Sequence, residues 1–249
     1  MSIESLAVVI AALLLGTLGK AITGFGLPLF AVPAMAAFID VQTAVVVMVL
    51  PSTLSNAWLI WTYRRSAAAI PGLWTGLACG VAGIGIGAWL LSALDAAVMA
   101  LVLSGWIAVY LLTELARYEI PPRLTGSRGM LASVIGLAGI CQGATGIAGP
   151  ILVTFMYAMR QSREIVVFGL AAVFLSYGVI QAGFYLSLGL VSEERLWQSA
   201  AATIPVVLGM PVGLWIARRI EGRVFRYLVR VLLLAAGVKL FADGLGALA

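Results

Sequence analysis

A lysine and several helix-breaking residues stand inside an apolar run near the amino terminus. The stretch GKAITGFGLPLFAVP, residues 19 to 33, contains Lys20, Gly24, Gly26 and Pro28. A buried charge is costly in lipid, and proline and glycine both interrupt helical hydrogen bonding. Because a lysine provides positive charge and glycines let a ligand approach the backbone, this combination indicates an anion-binding site.

A second stretch of the same kind, CQGATGIAGPILV, occupies residues 141 to 153. Shifting the sequence by 122 positions places Lys20 over Gln142 and residues 23 to 28 over residues 145 to 150. The threonine, the first glycine and the proline of the two stretches then coincide. The shift therefore indicates two copies of one unit. Each copy begins with the same interruption of the helical pattern by glycine and proline, which is called a break below.

The two prolines predict where the chain becomes helical again. Proline is tolerated in the first turn of a helix, so Pro28 and Pro150 predict the starts of two short helices. The amino-terminal end of each helix would face the break with its free amides and the positive end of its dipole. Thr23 and Thr145 can add hydroxyl donors. We expect the two ends to form one pocket for an anion.

Composition defines the class of protein. Of 249 residues, 63% are hydrophobic and 10% are charged, and the mean hydropathy is +1.11, which is typical of an integral membrane protein. The absence of histidine excludes histidine-based catalysis and removes the commonest zinc ligand. We expect no catalytic residue, no metal and no cofactor, and therefore no enzyme. The net charge of +5 comes from arginines in short loops, which favours membrane orientation over nucleic-acid binding.

Apolar segments recur throughout the chain, and in each half the second one is too short for a full membrane helix, so that it is expected to cross obliquely or turn back. Those of the first half are residues 4 to 22, 26 to 38, 42 to 63, 69 to 92 and 95 to 116; those of the second are 129 to 145, 149 to 159, 164 to 190, 196 to 217 and 224 to 243. The predicted fold is all-α, a polytopic membrane protein of about 8 to 10 membrane helices in two inverted repeats with broken helices. The predicted units are a first repeat at 1–117, a cytoplasmic linker at 118–128 and a second repeat at 129–249.

The charges of corresponding loops indicate that the second repeat is inverted in the membrane. Where a loop of the first half is acidic its counterpart is basic, and the reverse. If the arginine-rich loops are cytoplasmic, most basic residues lie on the cytoplasmic side, and the exceptions are Lys20, Arg195 and Lys239. The cytoplasmic set holds 12 of the 15 basic residues: Arg64, Arg65, Arg117, Arg123, Arg128, Arg160, Arg163, Arg218, Arg219, Arg223, Arg226 and Arg230. Both termini are then predicted on the periplasmic side.

Polar residues in the helix after each break complete the candidate site. Asn56 lies in this helix in the first half, and Tyr177 and Gln181 lie in it in the second. An alternative for any one of these residues is a hydrogen bond to a neighbouring helix, and the glycines can serve helix packing. The candidate substrate-binding residues are Lys20, Thr23, Gly24, Phe25, Gly26, Asn56, Gln142, Thr145, Gly146, Gly149, Tyr177 and Gln181.

With these motifs in place, the chain resembles the sulfite exporter TauE/SafE family of membrane permeases. The resemblance rests on GKAITGFGLPLFAVP and CQGATGIAGPILV, each followed by a helix with polar residues, and covers nearly the whole chain. The first motif differs from the usual family pattern, in which further glycines follow Gly-Phe-Gly where this chain has Leu27 and Pro28. The resemblance implies transport of small anions such as sulfite, sulfonates or related organic acids across the inner membrane, and about eight membrane spans.

These observations predict a secondary transporter that moves a small anion across the inner membrane by alternating access, coupled to the proton gradient. No buried carboxylate stands out as a proton carrier, although the anion could carry the proton itself as a weak acid. The alternatives are an anion channel that uses the same pocket and a membrane scaffold subunit without a substrate. The expected partners are the small anion, the lipid bilayer and protons, with no nucleic acid; the oligomeric state stays open.

Overall fold

The computed structural model describes residues 3–66, 73–116, 128–158, 162–217 and 222–248. Within these residues the chain forms ten α-helices, one short 3₁₀ turn and no strand. The predicted linker falls almost wholly on residues 117–127, outside the described residues, so its limits stay a prediction. The all-helical class predicted from the sequence is confirmed.

The helices fall into two sets of five along the chain. In the first half they are α1 (Ile3–Thr23), α2 (Leu27–Ala36), α3 (Val41–Thr62), α4 (Leu73–Ala93) and α5 (Ala96–Leu115), with the 3₁₀ turn at Arg64–Ser66 after α3. In the second half they are α6 (Arg128–Thr145), α7 (Gly149–Ala158), α8 (Arg163–Ser187), α9 (Glu193–Ala217) and α10 (Gly222–Leu248). Each predicted apolar segment overlaps one of these helices, and the ends differ by a few residues.

Helix α8 ends at Ser187, three residues before the end of the apolar segment predicted at 164 to 190. The amide of Leu190 donates to the carbonyl of Tyr185 at 2.9 Å, and the amide of Gly189 donates to Leu186 at 3.1 Å. Gly189 has a φ of +68°, the left-handed conformation that this type of helix end requires. The apolar pattern continued through this turn, which is why hydropathy alone placed the end too late.

In the part of the chain that the structure describes, five helices are long and apolar enough to cross a membrane, and four others contain shorter apolar helical stretches. The five candidate spans are Val41–Thr62, Ala96–Leu115, Glu164–Ser187, Glu193–Ile216 and Arg230–Leu248. Helices α2 and α7 have 10 residues each. At 1.5 Å per residue they rise about 15 Å, roughly half the hydrocarbon thickness of a bilayer. Neither short helix can therefore cross the membrane.

Contacts between the two halves occur in matching pairs. Helix α4 packs against α6, and α9 packs against α1; helix α3 packs against α9, and α8 packs against α4. The remaining large contacts join α3 to α8 and α5 to α10, which are corresponding helices of the two halves. Exchanging the halves therefore reproduces most of the contacts, as is expected of two repeats related by a two-fold axis.

Glycines bring the backbones of α4 and α6 into direct contact. Gly83 and Gly87 of α4 are four residues apart, and so are Gly139 and Gly143 of α6. A Cβ on Gly139 would lie 2.6 Å from the carbonyl oxygen of Gly80 and 3.2 Å from the Cα of Gly83. Small residues at this spacing let membrane helices approach closely, so that van der Waals packing stabilises the pair. The sequence analysis attached no significance to this seam.

Side chains at the helix ends add polar connections. Lys239 Nζ and Asp243 Oδ2 lie 2.6 Å apart and form a local ion pair within α10, and Arg230 of α10 pairs with Glu114 of α5 at 3.1 Å. Arg195, at the start of α9, donates to Gln42 Oε1 at 2.9 Å and to Thr43 Oγ1 at 3.1 Å. These contacts join α5 to α10 and α9 to α3.

The α4–α6 seam generates a stability prediction. In Gly87→Ala the new Cβ would collide with the carbonyl oxygen of Ile140 and lie 2.7 Å from the amide nitrogen of Ala144. We expect a loss of about 2 kcal/mol, because backbone atoms cannot move aside as a flexible side chain can. Gly105→Ala on α5 is the control, since its Cβ would meet nothing within 4 Å. The midpoint of thermal unfolding is measured for both purified variants in detergent. Equal midpoints would contradict the close packing of the α4 and α6 backbones.

Candidate functional site

The two breaks have the same local structure. Helix α1 ends at Thr23, and Gly24 follows with a φ of +83°; α6 ends at Thr145, and Gly146 follows with a φ of +71°. The Gly24 amide donates to the carbonyl of Lys20 at 2.7 Å, and the Gly146 amide donates to that of Gln142 at 2.8 Å. A side chain is strained at these positive φ values, so glycine is the residue that allows each helix to end here.

Both short helices begin where the prolines predicted. Pro28 is the second residue of α2, and Pro150 is the second residue of α7. Gly26 precedes α2 with a φ of +120° and acts as its amino-terminal cap without a side chain. The first amides of each helix lack intrahelical acceptors, and the dipole concentrates positive potential at this end.

A small cavity lies between the two breaks. It is lined by Lys20, Phe25, Gly26, Pro28, Leu29, Ser52, Gly146, Ile147, Gly149 and Phe174. A second cavity adjoins it and shares Pro28, Ser52 and Gly146 with the first; its other lining residues are Val45, Met48, Val49, Gln142, Gly178 and Gln181. Residues from both halves of the chain therefore enclose one polar region.

The cavities are small in this conformation. Measured as the space open to the centre of a water molecule, their volumes are about 20 Å³ and about 10 Å³. One water needs roughly 10–15 Å³ by this measure, so each cavity has room for about one water. A multi-atom oxyanion would require the surrounding helices to move apart.

Lys20 provides the positive charge of this region. It is 1% exposed and lies in the last turn of α1, where a cation interacts favourably with the helix dipole. Its Nζ donates to Asn56 Oδ1 at 2.5 Å. Neither ion pair found among the described residues includes Lys20, and no carboxylate lines the two cavities there. The ammonium group is therefore held by a neutral amide, without an anionic partner in the described part of the chain.

Asn56 is fully buried on α3 and faces Lys20 with its oxygen. Since an ammonium group can only donate, this contact determines the orientation of the amide. Its Nδ2 group is buried and makes no hydrogen bond with the described residues. One donor beside the lysine is thus left without an acceptor.

Gln142 and Gln181 make the corresponding contact in the second half. Gln142 on α6 donates from Nε2 to Gln181 Oε1 at 2.9 Å, and both side chains are buried. Gln181 on α8 donates to the Gln142 carbonyl at 2.8 Å and to Tyr185 Oη at 2.7 Å. The Tyr185 hydroxyl donates to the Gly143 carbonyl at 2.7 Å. This network fastens α8 to the end of α6.

The two halves therefore contain a side-chain pair at corresponding positions, but the residue types in the two pairs differ. In each half, the residue three positions before the threonine of the break pairs with an amide side chain of the third helix. In the first half this pair is a lysine and an asparagine, whereas in the second it is two glutamines. The site is symmetric in position and asymmetric in charge.

Aromatic side chains close the space between the breaks. A Cβ on Gly149 would lie 2.6 Å from Cδ2 of Phe25, so the Phe25 ring packs directly on the start of α7. Trp106 on α5 donates from Nε1 to the carbonyl of Ile147 at 3.0 Å. Phe25 joins the first break to the second, and Trp106 holds the second break in place.

Some of the predicted binding residues do not line the cavities or use their hydroxyl groups in hydrogen bonds within the protein. Tyr177 lines neither cavity; its hydroxyl donates to the Ile135 carbonyl at 3.0 Å, and its ring packs against Gly80. The Thr145 hydroxyl donates to the Cys141 carbonyl at 2.7 Å and accepts from the Ile147 amide at 3.3 Å, so it supports the break. The side chain of Thr23 lies outside the described residues.

Other residues of the site were missed by the sequence analysis. Ser52 and Pro28 line both cavities, yet Ser52 was not among the candidate residues and Pro28 was predicted only as a helix start. Tyr185 and Trp106 were not considered at all. For Tyr185 a signal existed, because it lies four residues after Gln181 on the same helix face. Nothing in the local sequence related Trp106 to the distant break.

In the described part of the chain, no cluster of three or more cysteine or acidic side chains could hold a metal ion. The groups available for binding are an ammonium, side-chain amides and helix amino-terminal ends. Such groups bind anions through charge-assisted hydrogen bonds.

Comparison with known proteins gives one match. A family model described as "Sulfite exporter TauE/SafE" matches residues 8–240, nearly the whole chain. No curated protein and no solved structure matches the chain significantly.

The glutamine network generates a second stability prediction. Tyr185→Phe removes a buried hydroxyl that accepts from Gln181 and donates to Gly143, so we expect a loss of about 1 kcal/mol, the scale of interhelical hydrogen bonds in membranes. Ser187→Ala removes an exposed hydroxyl from the same helix and serves as the control. The readout is thermal unfolding in detergent, where equal midpoints for the two variants would show that the network carries no stability.

Proposed function

The chain belongs to the sulfite exporter TauE/SafE family, and from that premise we propose that it is a secondary transporter of sulfite, a sulfonate or a related small organic anion across the inner membrane. The residues proposed to bind the anion are Lys20, Gly26, Gly146 and Gly149 around the larger cavity, with Gln142 and Gln181 beside it. We assign the protein no catalytic activity.

One observation carries this proposal. The Lys20 ammonium group is buried between two helix breaks and has no carboxylate partner among the described residues. An unpaired buried charge is expensive, and ionisable residues inside membrane proteins mark substrate or ion pathways. An anion that entered the cavity would offset this cost, because it would meet the ammonium and the positive ends of α2 and α7 together.

Alternating access is the proposed transport mechanism. The cavities are too small for the anion in this conformation, so binding and release require movement of the surrounding helices. Paired contacts between the halves support residues 1–117 and 129–249 as two inverted repeats that move relative to one another. A channel would need a continuous open path through the same region.

Among the described residues, no carboxylate lines the candidate site and could serve as a proton carrier. Glu114, near the end of α5, is paired with Arg230. We therefore propose that a proton accompanies the anion as part of a weak acid. Saturable counterflow in liposomes would separate this transporter from an anion channel, which the sequence left as an alternative.

The test is uptake of labelled sulfite into liposomes that contain the purified protein. Lys20→Met keeps most of the length of the unbranched side chain and removes its charge, and we expect uptake to fall at least about tenfold, since charge-assisted hydrogen bonds contribute strongly to binding. Lys239→Met is the matched control, because Lys239 is an exposed lysine in a local ion pair. Its uptake should equal that of the wild type.

Stability separates a binding defect from a folding defect. Removing a buried, unpaired ammonium group should leave the midpoint of thermal unfolding of Lys20→Met equal to or above that of the wild type. Wild-type uptake in both variants would exclude Lys20 from the site. A chain that folds but transports nothing in any of the three forms would instead favour the scaffold alternative.

The proposed orientation has its own test. With the arginine-rich loops in the cytoplasm, both termini and the start of α9 face the periplasm. A reporter that is active only in the periplasm should be active when fused after residue 249 and inactive when fused within residues 118–128. A reporter that fluoresces only in the cytoplasm should give the reverse pattern. Activity of one reporter at both positions would contradict the orientation.

A further inference from the structure

Gln142 presents a hydrogen-bond acceptor without a partner to the candidate anion site. Its side chain is 6% exposed and lines the smaller cavity together with Ser52 and Gly146. Its Oε1 atom is buried and accepts no hydrogen bond from the described residues. An unpartnered acceptor is unexpected here, because an anion consists mainly of acceptors.

The orientation of this amide follows from its neighbours. Gln181 must direct its NH₂ group towards the carbonyl of Gln142, because an oxygen placed there would face another oxygen. Gln181 therefore turns its Oε1 towards the Gln142 side chain, and only the NH₂ group of Gln142 can satisfy it. Tyr185 supports the same orientation by accepting from Gln181 and donating to the Gly143 carbonyl. The free atom of Gln142 is thus an acceptor.

The first half of the chain contributes hydrogen-bond donors, in contrast to the free acceptor of Gln142. Lys20 lines the adjoining cavity, and the Asn56 amide that holds its ammonium group has a buried Nδ2 donor without an acceptor among the described residues. The region as a whole has donors on the side of α1 and α3 and a free acceptor on the side of α6. A ligand that satisfies both sides needs charged oxygens at one end and a hydrogen-bond donor at the other.

We propose that the transported anion carries its own hydrogen-bond donor and places it on Gln142 Oε1. This inference rests on the proposed function and narrows its substrate class. A singly protonated oxyanion, or a sulfonate with a hydroxyl or ammonium group near its charge, meets the requirement. A fully deprotonated oxyanion puts an oxygen against the Gln142 oxygen and leaves both without a proton to share.

The inference also accounts for the finding that no carboxylate among the described residues lines the two cavities. A singly protonated anion brings one proton with it through the membrane, so the protein needs no proton carrier of its own. Gln142 then acts as the residue that distinguishes the protonated form of the substrate from the deprotonated form. Lys20 attracts both forms through charge.

The experiment compares two sulfonates that differ by one hydroxyl group. Uptake of labelled sulfite into liposomes is measured at one fixed pH, with 2-hydroxyethanesulfonate or ethanesulfonate as the unlabelled competitor. For the wild type we expect half-inhibition at an about tenfold lower concentration of the hydroxyl-bearing competitor, the scale of one buried hydrogen bond. In Gln142→Met, which removes the acceptor, the ratio should fall to about one.

Gln198→Met is the matched control. Gln198 also carries a buried Oε1 without a partner among the described residues, but it lies on α9 and lines neither cavity. Its ratio should stay at about ten. Gln142→Glu keeps an acceptor oxygen at the same place and should retain the preference for the hydroxyl-bearing competitor, although added negative charge lowers sulfite uptake.

The outcomes separate the inference from the proposed function. Equal inhibition by the two sulfonates in the wild type would overturn the inference and leave anion transport standing. A ratio of about ten in Gln142→Met would also overturn it, since the acceptor would then lie elsewhere. If the wild-type protein takes up no sulfite and neither sulfonate binds in a thermal-shift assay, the proposed function fails and the inference fails with it.

Discussion

A lysine ammonium group buried without a carboxylate partner among the described residues is the constraint on which the candidate site depends. Removing this group from water is costly, and one neutral amide, Asn56 Oδ1, offsets only part of the cost. The helix breaks gain their significance from this charge, because they direct two positive helix ends to the same place. A cavity lined by such groups is suited to an anion and unsuited to a cation.

The position of the site depends on rigid contacts between the halves. Gly83 and Gly87 bring the α4 backbone against α6, and the residue next to Gly143 on α6 is Gln142. A small displacement of α6 would therefore move an amide that lines the cavity. Phe25 and Trp106 act at the breaks themselves, where each connects segments distant in sequence. Close backbone packing thus holds the polar groups in place, and the proposed transport movement would have to leave these contacts intact or exchange them as a unit.

The difference between the halves determines what the site can recognise. A symmetric pair of lysines would offer the same charge on both sides of the proposed site, whereas Lys20 and Gln142 offer an ammonium group on one side and a neutral amide on the other. Donors and acceptors can then be matched individually, and an unsatisfied buried polar atom disfavours the wrong ligand more than a satisfied one favours the right ligand. If the proposed site binds an anion, this asymmetry between the corresponding positions of the two halves favours one orientation of the ligand.

The sequence by itself determined the membrane class, the number and order of helices, the positions of both breaks and the starts of α2 and α7, because hydropathy, proline and glycine act locally along the chain. It also identified Lys20, Asn56, Gln142 and Gln181 as candidates. Only the tertiary structure decided which of them meet, why Tyr177 lies away from the cavities, and that Trp106, Ser52 and Tyr185 belong beside the breaks. The physical reason is that contacts between helices depend on crossing geometry and side-chain direction, which residues far apart in sequence do not reveal.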